Sequence, residues 1–197
     1  MKEKKKIYFS QSSWNLERDP VCFYAYWNNA FTKEECSKII NIAHNKGLVK
    51  GVTYGKSNAR KSQVSWLYPI DDMAWAFQRV TDIVTELNRD YFKFDIFGLN
   101  EGFQFTNYKA PSDKYRQHVD RAHNTPVRKL SLSIQLTDPK EYKGGELILY
   151  DGDIGTPMSR GQGNLIMFPS WTVHEVKAVT KGERNSLVCW VTGKPFV

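Results

Sequence analysis

The second half of the chain consists of short apolar or alternating runs separated by turn residues, and this pattern constrains the fold most strongly. The run Leu130–Thr137, LSLSIQLT, alternates strictly, so that a strand would present one apolar and one polar face. Such a strand could simply expose its polar face to solvent, or its polar face could line a wet active site. We predict seven strands: Phe103–Tyr108, Tyr115–Val119, Lys129–Thr137, Glu146–Tyr150, Asn164–Phe168, His174–Val179 and Arg184–Thr192. Short strands joined by polar loops predict an antiparallel sandwich or barrel.

Helical periodicity is confined to the first half. Thr32 and Glu35 have the spacing of a capping box, and the helix that they start should end at Gly47. A second helix is expected from Asp71 or Asp72 to about Tyr91, with Phe77, Val80, Val84, Leu87 and Tyr91 on its apolar stripe. At 197 residues, one domain is expected, with residues 1–92 mostly a helical support and residues 93–197 a β core.

Charge and cysteine content exclude several classes. The net charge is +7, but residues 2–6 contribute +3 of it, so a basic terminus explains much of the excess, and we expect no nucleic-acid partner. Three cysteines without CxxC spacing argue against a disulfide framework or a zinc ribbon and favour a reducing compartment. No run approaches the roughly 20 apolar residues that cross a bilayer, so we expect a cytoplasmic protein without a membrane partner.

A possible metal site begins with His118 and Asp120, which lie two positions apart and therefore on one face of a strand. Two histidines and one carboxylate form the facial triad that holds iron(II) in oxygenases, because this arrangement leaves open coordination positions. His174, 56 residues later at the start of another predicted strand, is the candidate third ligand. The alternative is structural: such pairs are usually surface polar groups, and a later isolated histidine is more often structural. His123, off the alternation, is expected in a loop or at the entrance.

A possible anion site follows ten positions after His174. Arg184 and Ser186 share a strand face, and a guanidinium with a neighbouring hydroxyl can bind a carboxylate. Alternatively, Arg184 is a surface charge in the turn at residues 181–184.

These motifs together resemble one known family. The run 103–120, GGELILY at 144–150, FPSWTVHEV at 168–176 and GERNSLVCWV at 182–191 are similar to prolyl 4-hydroxylase-like iron(II)/2-oxoglutarate oxygenases of the bacterial and phage type. The likeness is looser over the first helix and over Arg60 and Trp66. It implies a mostly β, α+β chain: a double-stranded β-helix (a cupin-like jelly-roll) with the N-terminal helices packed on one sheet.

The resemblance also implies roles for individual residues. The metal ligands would be His118, Asp120 and His174. The co-substrate 2-oxoglutarate would be bound by Arg184, Ser186, Tyr108 and Gln135, although Gln135 stands where some relatives have a second tyrosine. Arg60 and Trp66 would border the substrate entrance.

The implied activity is hydroxylation of peptidyl proline coupled to decarboxylation of 2-oxoglutarate to succinate, with Fe(II), O2 and ascorbate as cofactors. The partner would be a protein or peptide, in the host cytoplasm if the chain is phage-encoded. Three alternatives stay open: a free amino acid or small metabolite as substrate, nucleic-acid demethylation, and a non-catalytic jelly-roll binding module. Demethylases usually have an arginine six positions after the co-substrate arginine, where this chain has Trp190.

Overall fold

The computed structural model describes residues 21–52, 58–120 and 127–195. Two α-helices, α1 (Lys33–Lys46) and α2 (Ala74–Leu87), accompany fifteen strands in this part of the chain. The strands are β1 Ala25–Trp27, β2 Val49–Lys50, β3 Arg60–Lys61, β4 Gln63–Leu67, β5 Ile96–Gly98, β6 Phe103–Lys109, β7 Lys114–His118, β8 Arg128–Gln135, β9 Lys143–Gly144, β10 Leu147–Asp151, β11 Ile154–Pro157, β12 Leu165–Pro169, β13 Val173–Val176, β14 Val179–Lys181 and β15 Glu183–Gly193.

The strands form two antiparallel sheets that face each other. The larger sheet has the order β1-β12-β8-β15-β6-β4-β2, with β5 paired to the end of β15, and the smaller has the order β11-β10-β13-β7-β3. A separate pair joins β14 to β9. Between the sheets lies an apolar cluster of buried residues from both: Tyr108, Leu147, Leu149, Met158, Ile166, Phe168, Val176 and Val179. The predicted mostly β jelly-roll is confirmed.

Strand β8 explains how the layers are assembled. Its leucine and isoleucine side chains belong to a second, larger core that also contains the buried faces of α1 and α2. The cross-strand partners of these residues on β15 are Leu187, Cys189 and Val191, so they extend the same apolar face. The polar side chains of β8 therefore point away from the helices, towards the smaller sheet. The prediction that the helices pack on one sheet is confirmed.

Helix α1 begins and ends where the sequence predicts. The Thr32 hydroxyl accepts a hydrogen bond from the Glu35 amide at 3.2 Å, and the Glu35 carboxylate accepts one from the Thr32 amide at 2.9 Å. This reciprocal pair satisfies two amides that a helix start would leave unpaired. Gly47 caps the helix with a φ of 99°, in the region that favours glycine.

Helix α2 departs from its prediction at both ends. Asp72 has a φ of 60°, which interrupts helical geometry, so α2 starts only at Ala74. After Leu87 the chain continues in a π-helical turn, Asn88–Phe92, whose wider spacing shifts the buried face by one residue. Tyr91, predicted on the apolar stripe, is therefore 46% exposed, and Phe92 is buried instead.

Each of the seven predicted strands has a counterpart. The other eight strands were not predicted, because they span only two to five residues and give little periodic signal. In the described ranges, no helix has both the length and the hydropathy needed to cross a bilayer. Cys22, Cys36 and Cys189 are free thiols.

Candidate active site

Pairing of β7 with β13 brings the first two candidate metal ligands together. His118 at the end of β7 lies opposite His174 on β13, and their ring centroids are 4.1 Å apart. Asp120 follows two residues later, with its carboxylate oxygens 3.6 Å from His118 Nε2 and 3.5 Å from His174 Nε2. One ligand atom from each residue lies within 4.8 Å of the others. Residues 56 positions apart in the sequence therefore converge on one point.

Backbone carbonyls fix the orientation of both imidazoles. His118 Nδ1 lies 2.7 Å from the Arg116 carbonyl oxygen, and His174 Nδ1 lies 2.9 Å from the Thr172 carbonyl oxygen. A carbonyl oxygen can only accept, so each Nδ1 carries a hydrogen, and in the neutral imidazole this leaves the lone pair on Nε2. Metal-binding histidines use this arrangement, in which the second nitrogen is held by an acceptor.

Asp120 is held from three sides. The Ser131 hydroxyl donates to Asp120 Oδ2 at 2.7 Å, and Ser131 is in turn hydrogen-bonded to the Ser170 hydroxyl at 2.9 Å. The Asp120 amide donates to the Ser170 carbonyl at 3.0 Å, and Arg128 Nη1 donates to the Asp120 carbonyl at 3.1 Å. The carboxylate therefore has a defined position before any ligand binds.

The protonation states of His118 and Asp120 favour cation binding. Burial, reinforced by the nearby His174, lowers the pKa of His118 to about 4, so its Nε2 is unprotonated at neutral pH. Burial alone would raise the pKa of Asp120, but His174, His118 and the Ser131 hydrogen bond outweigh it and hold this pKa below its ordinary value. The neutral imidazole of His118 and the carboxylate of Asp120 are thus presented together.

This donor set fits a divalent transition metal. Two imidazole nitrogens and one carboxylate oxygen match the facial triad of non-haem iron(II) sites. The Nε2 atoms of both histidines lie 3.5–3.6 Å from Asp120 carboxylate oxygens, so a single cation could contact all three side chains. His123, predicted to be a loop or entrance residue, lies outside the described residues.

The second candidate site surrounds Arg184 on β15. Its side chain is 1% exposed, and its Nη2 donates to Gln135 Oε1 at 2.8 Å while its Nη1 donates to Ser186 Oγ at 3.2 Å. Its Nε is buried without a hydrogen-bond partner among the described residues, and no carboxylate there pairs with the guanidinium. A buried positive charge with neutral neighbours is costly, so a carboxylate ligand is the chemistry that this site fits.

Strand β8 connects the two sites. Ser131 contacts Asp120, and Gln135, four residues further along the same face, contacts Arg184. Four residues span about 13 Å of strand, and side chains reach inward from both ends. Ser131 and Gln135 thus connect the triad to the Arg184 guanidinium along one face of β8.

Tyr108 lies beside Arg184. These two residues are cross-strand neighbours on β6 and β15, and the guanidinium carbon lies 5.6 Å from the centre of the tyrosine ring. Burial raises the pKa of Tyr108, so that its phenol stays protonated and can donate a hydrogen bond at neutral pH.

Arg60 and Trp66, the two residues expected at the substrate entrance, lie on β3 and β4. Arg60 packs over the ring of Tyr115 at 5.0 Å, and Tyr115 in turn stacks on His118 with 3.5 Å between ring centroids. Trp66 lies against Trp190 with centroids 6.0 Å apart. The structure therefore places both residues, predicted at the substrate entrance, close to groups that border the triad.

Several supporting residues were missed in the sequence. Ser131 had a visible signal, because it lies on the polar face of the alternating strand. Arg128 had none: it forms a bidentate ion pair with Glu101, 27 residues away, at 2.7 and 2.5 Å, and lies over the Trp190 ring at 3.9 Å. Only the folded chain shows that this arginine also holds Asp120.

Comparison with known proteins places the likeness in the same region. Residues 103–192 match the sequence model of the 2OG-Fe(II) oxygenase superfamily. A PKHD-type hydroxylase of Prochlorococcus marinus is 38% identical over 83 residues, which cover 42% of this chain and 38% of that protein. A PKHD-type hydroxylase of Alteromonas mediterranea is 36% identical over 92 residues, covering 43% and 41%. The match spans about two-fifths of the length of these relatives.

Solved structures with the same fold extend over most of the chain. A Pseudomonas putida prolyl-4-hydroxylase superposes with a TM-score of 0.71 at 18% identity, over 88% of this chain and 94% of that chain. A prolyl hydroxylase of Trichoplax adhaerens, solved with a hypoxia inducible factor peptide fragment, superposes with a TM-score of 0.73 at 16% identity. The superposition covers 87% of this chain and 84% of that chain. A viral collagen prolyl hydroxylase of Paramecium Bursaria Chlorella virus-1, in a 2OG complex, superposes with a TM-score of 0.69 at 23% identity. The superposition covers 88% of this chain and 97% of that chain.

Proposed function

We propose that this chain is an iron(II)- and 2-oxoglutarate-dependent hydroxylase, because residues 103–192 match the sequence model of the 2OG-Fe(II) oxygenase superfamily. The observation that carries the proposal is the pairing of a His-Asp-His cluster with a buried arginine that has no carboxylate partner among the described residues. Iron would be held by His118, Asp120 and His174, and the far carboxylate of 2-oxoglutarate by Arg184. When bound, iron supplies the chemistry that couples decarboxylation of 2-oxoglutarate to insertion of one oxygen atom into a substrate C–H bond.

The residues of the chain prepare the site for this chemistry. The carbonyls of Arg116 and Thr172 keep both imidazoles in the tautomer that binds metal, and Ser131 keeps the Asp120 carboxylate turned towards them. Arg184 and Ser186 would orient the co-substrate so that its other end reaches the metal. The apolar cluster between the sheets excludes water from the space around them.

The substrate that we propose is a prolyl residue in a protein or peptide. This part of the proposal is supported by the relatives, which include PKHD-type hydroxylases and a prolyl hydroxylase solved with a peptide fragment. Arg60, Trp66 and the neighbouring Tyr115 and Trp190 would contact it, because Tyr115 stacks on His118 while Arg60 and Trp66 pack on Tyr115 and Trp190. Ascorbate is proposed as a reductant that keeps the iron divalent, and the cytoplasm as the location.

The test supplies the purified chain with Fe(II), 2-oxoglutarate, ascorbate and O2, and measures succinate with and without a proline-rich peptide. The expected result is peptide-stimulated succinate and a peptide that gains one oxygen atom on proline, with the label retained when ¹⁸O2 is used. A matched peptide with alanine in place of proline should not stimulate succinate formation. If only free proline stimulates succinate formation, or if a methylated oligonucleotide is demethylated, the peptidyl substrate is wrong. The chain would then still be an oxygenase, but one with a different substrate.

The chemical part of the proposal has its own control. An Asp120→Ala variant should form no succinate under any of these conditions, because it lacks the only carboxylate of the cluster. Absence of succinate from the unaltered chain, with every substrate and with iron bound, would instead favour a binding module without catalysis.

A further inference from the structure

Gln135 occupies a defined position between the two candidate sites. Its side chain lies on the polar face of β8 and is 2% exposed. Its Oε1 accepts from Arg184 Nη2 at 2.8 Å, and its Nε2 donates to Ser133 Oγ at 3.2 Å. Because a guanidinium can only donate, the amide oxygen must face Arg184, and the orientation of the whole side chain is fixed.

The groups that hold Arg184 are neutral. Gln135 and Ser186 supply its two acceptors, and neither cancels its charge. Arg128 and Arg79 are bound differently, since each pairs with a glutamate, Glu101 or Glu35. Arg60, in contrast, is buried and held by the neutral acceptors Ser62, Gln104 and Thr106, so it shares with Arg184 a guanidinium whose charge is not cancelled by its hydrogen-bond partners.

We propose that Gln135 is a positioning residue, which fixes the Arg184 guanidinium for the co-substrate carboxylate without neutralising it. This inference rests on the proposed function and assigns Gln135 a different role from the direct co-substrate contact expected from the sequence. It also explains why an amide suits this position. A glutamate of the same shape would form an internal ion pair with Arg184 and compete with the carboxylate of 2-oxoglutarate.

Two substitutions at position 135 separate these effects. Gln135→Met keeps the volume but removes the acceptor, so Arg184 becomes less well ordered. Gln135→Glu keeps the shape and the acceptor but adds a charge. The control is Gln63→Glu, which adds the same charge at an exposed position of the same sheet.

The measurement is the Kd of 2-oxoglutarate for the Mn(II)-loaded chain by calorimetry, together with the Kd of Mn(II) alone by electron paramagnetic resonance. Hydrogen bonds to charged groups contribute about 1.5–3 kcal/mol, and tenfold in Kd corresponds to about 1.4 kcal/mol. We expect about tenfold weaker 2-oxoglutarate binding for Gln135→Met, about 100-fold for Gln135→Glu, and less than about twofold for Gln63→Glu. The Kd of Mn(II) should stay within about twofold in all three, which also shows that the variants are folded.

An Arg184→Lys background distinguishes positioning from direct contact. There the guanidinium is gone, so Gln135→Met should change the Kd of 2-oxoglutarate by less than about twofold. If Gln135→Met weakens 2-oxoglutarate binding as much in the Arg184→Lys background as in the unaltered chain, the amide itself touches the co-substrate. That result would overturn the positioning role. Equal binding by Gln135→Glu and the unaltered chain would also overturn it. If the unaltered, metal-loaded chain does not bind 2-oxoglutarate at all, the proposed function fails first. Should Gln135→Glu not fold, the Gln135→Met comparison in the two backgrounds decides the matter.

Discussion

Replacing Arg184 with methionine should make the ligand-free protein more stable while removing co-substrate binding. Moving a guanidinium out of water costs several kcal/mol, and Arg184 recovers only part of this through two hydrogen bonds to neutral groups. Its Nε recovers nothing from the described residues, since it is buried and unpaired there. Methionine would keep the apolar contacts of the side-chain stem without burying a charge.

The expected magnitude follows from these contributions. Replacement of a buried ion pair by apolar side chains is often neutral or stabilises a protein by about 1–4 kcal/mol, and Arg184 has only neutral partners, whose two hydrogen bonds are lost on replacement. We expect a gain of about 1–2 kcal/mol in the free energy of unfolding, or about 2–8 °C in Tm for a chain of this size. The unaltered protein, in contrast, should gain about 2.7 kcal/mol when 2-oxoglutarate is present at about 100 times its Kd.

Thermal unfolding of the Mn(II)-loaded protein, with and without 2-oxoglutarate, measures both effects. Arg160→Met is the control, because Arg160 is only partly buried and pairs with a carboxylate, that of Glu146, at 3.2 Å. That variant should unfold at a slightly lower Tm, and 2-oxoglutarate should raise its Tm as much as it raises that of the unaltered protein. A marked decrease in the Tm of Arg184→Met would refute the assignment of Arg184 as a ligand-binding charge. An increase in its Tm with 2-oxoglutarate as large as that of the unaltered protein would refute it as well.

Three further predictions concern the metal ligands and their support. Ser131→Ala should weaken Mn(II) binding by about tenfold, since it removes the 2.7 Å hydrogen bond to Asp120, and an unchanged titration would contradict this. If the proposed function holds, Asp120→Ala should form no succinate in the absence of substrate, and unchanged succinate formation would remove the carboxylate from the mechanism. The metal-free protein should lose up to about 3 kcal/mol of stability as the pH falls from about 6.5 to about 4, because the folded pKa of His118 is lowered to about 4. In this pH range protons bind the unfolded chain more tightly than the folded chain, which lowers the free energy of unfolding. Urea unfolding of His118→Gln should show a smaller change of this free energy over the same pH range.

Much of the fold was predictable because it depends on local periodicity. The alternation in Leu130–Thr137 determined both which face packs on the helices and which face carries polar side chains. The capping box of α1 was equally local. The short strands β2, β3 and β9 were not predictable, since each consists of two residues that pair through backbone groups with partners distant in the sequence.

The candidate site was predictable as far as its residue types and spacing allowed. His118 and Asp120 are two residues apart on one face, whereas the approach of His174 depends on strand pairing that the sequence only suggested. The hydrogen bond between Gln135 and Arg184 links residues 49 positions apart and could not be inferred from either one. The arrangement of residues 1–197 as one domain stays a prediction.

An anaerobic titration of the chain with Fe(II) and 2-oxoglutarate tests the central claim most directly. If His118, Asp120 and His174 hold the metal and Arg184 holds the co-substrate, a visible charge-transfer band should grow to one equivalent of each. The band should be missing in His174→Ala at any 2-oxoglutarate concentration, and should require far more 2-oxoglutarate in Arg184→Met. No band from the unaltered chain at saturating concentrations, or the same band from His174→Ala, would contradict the account.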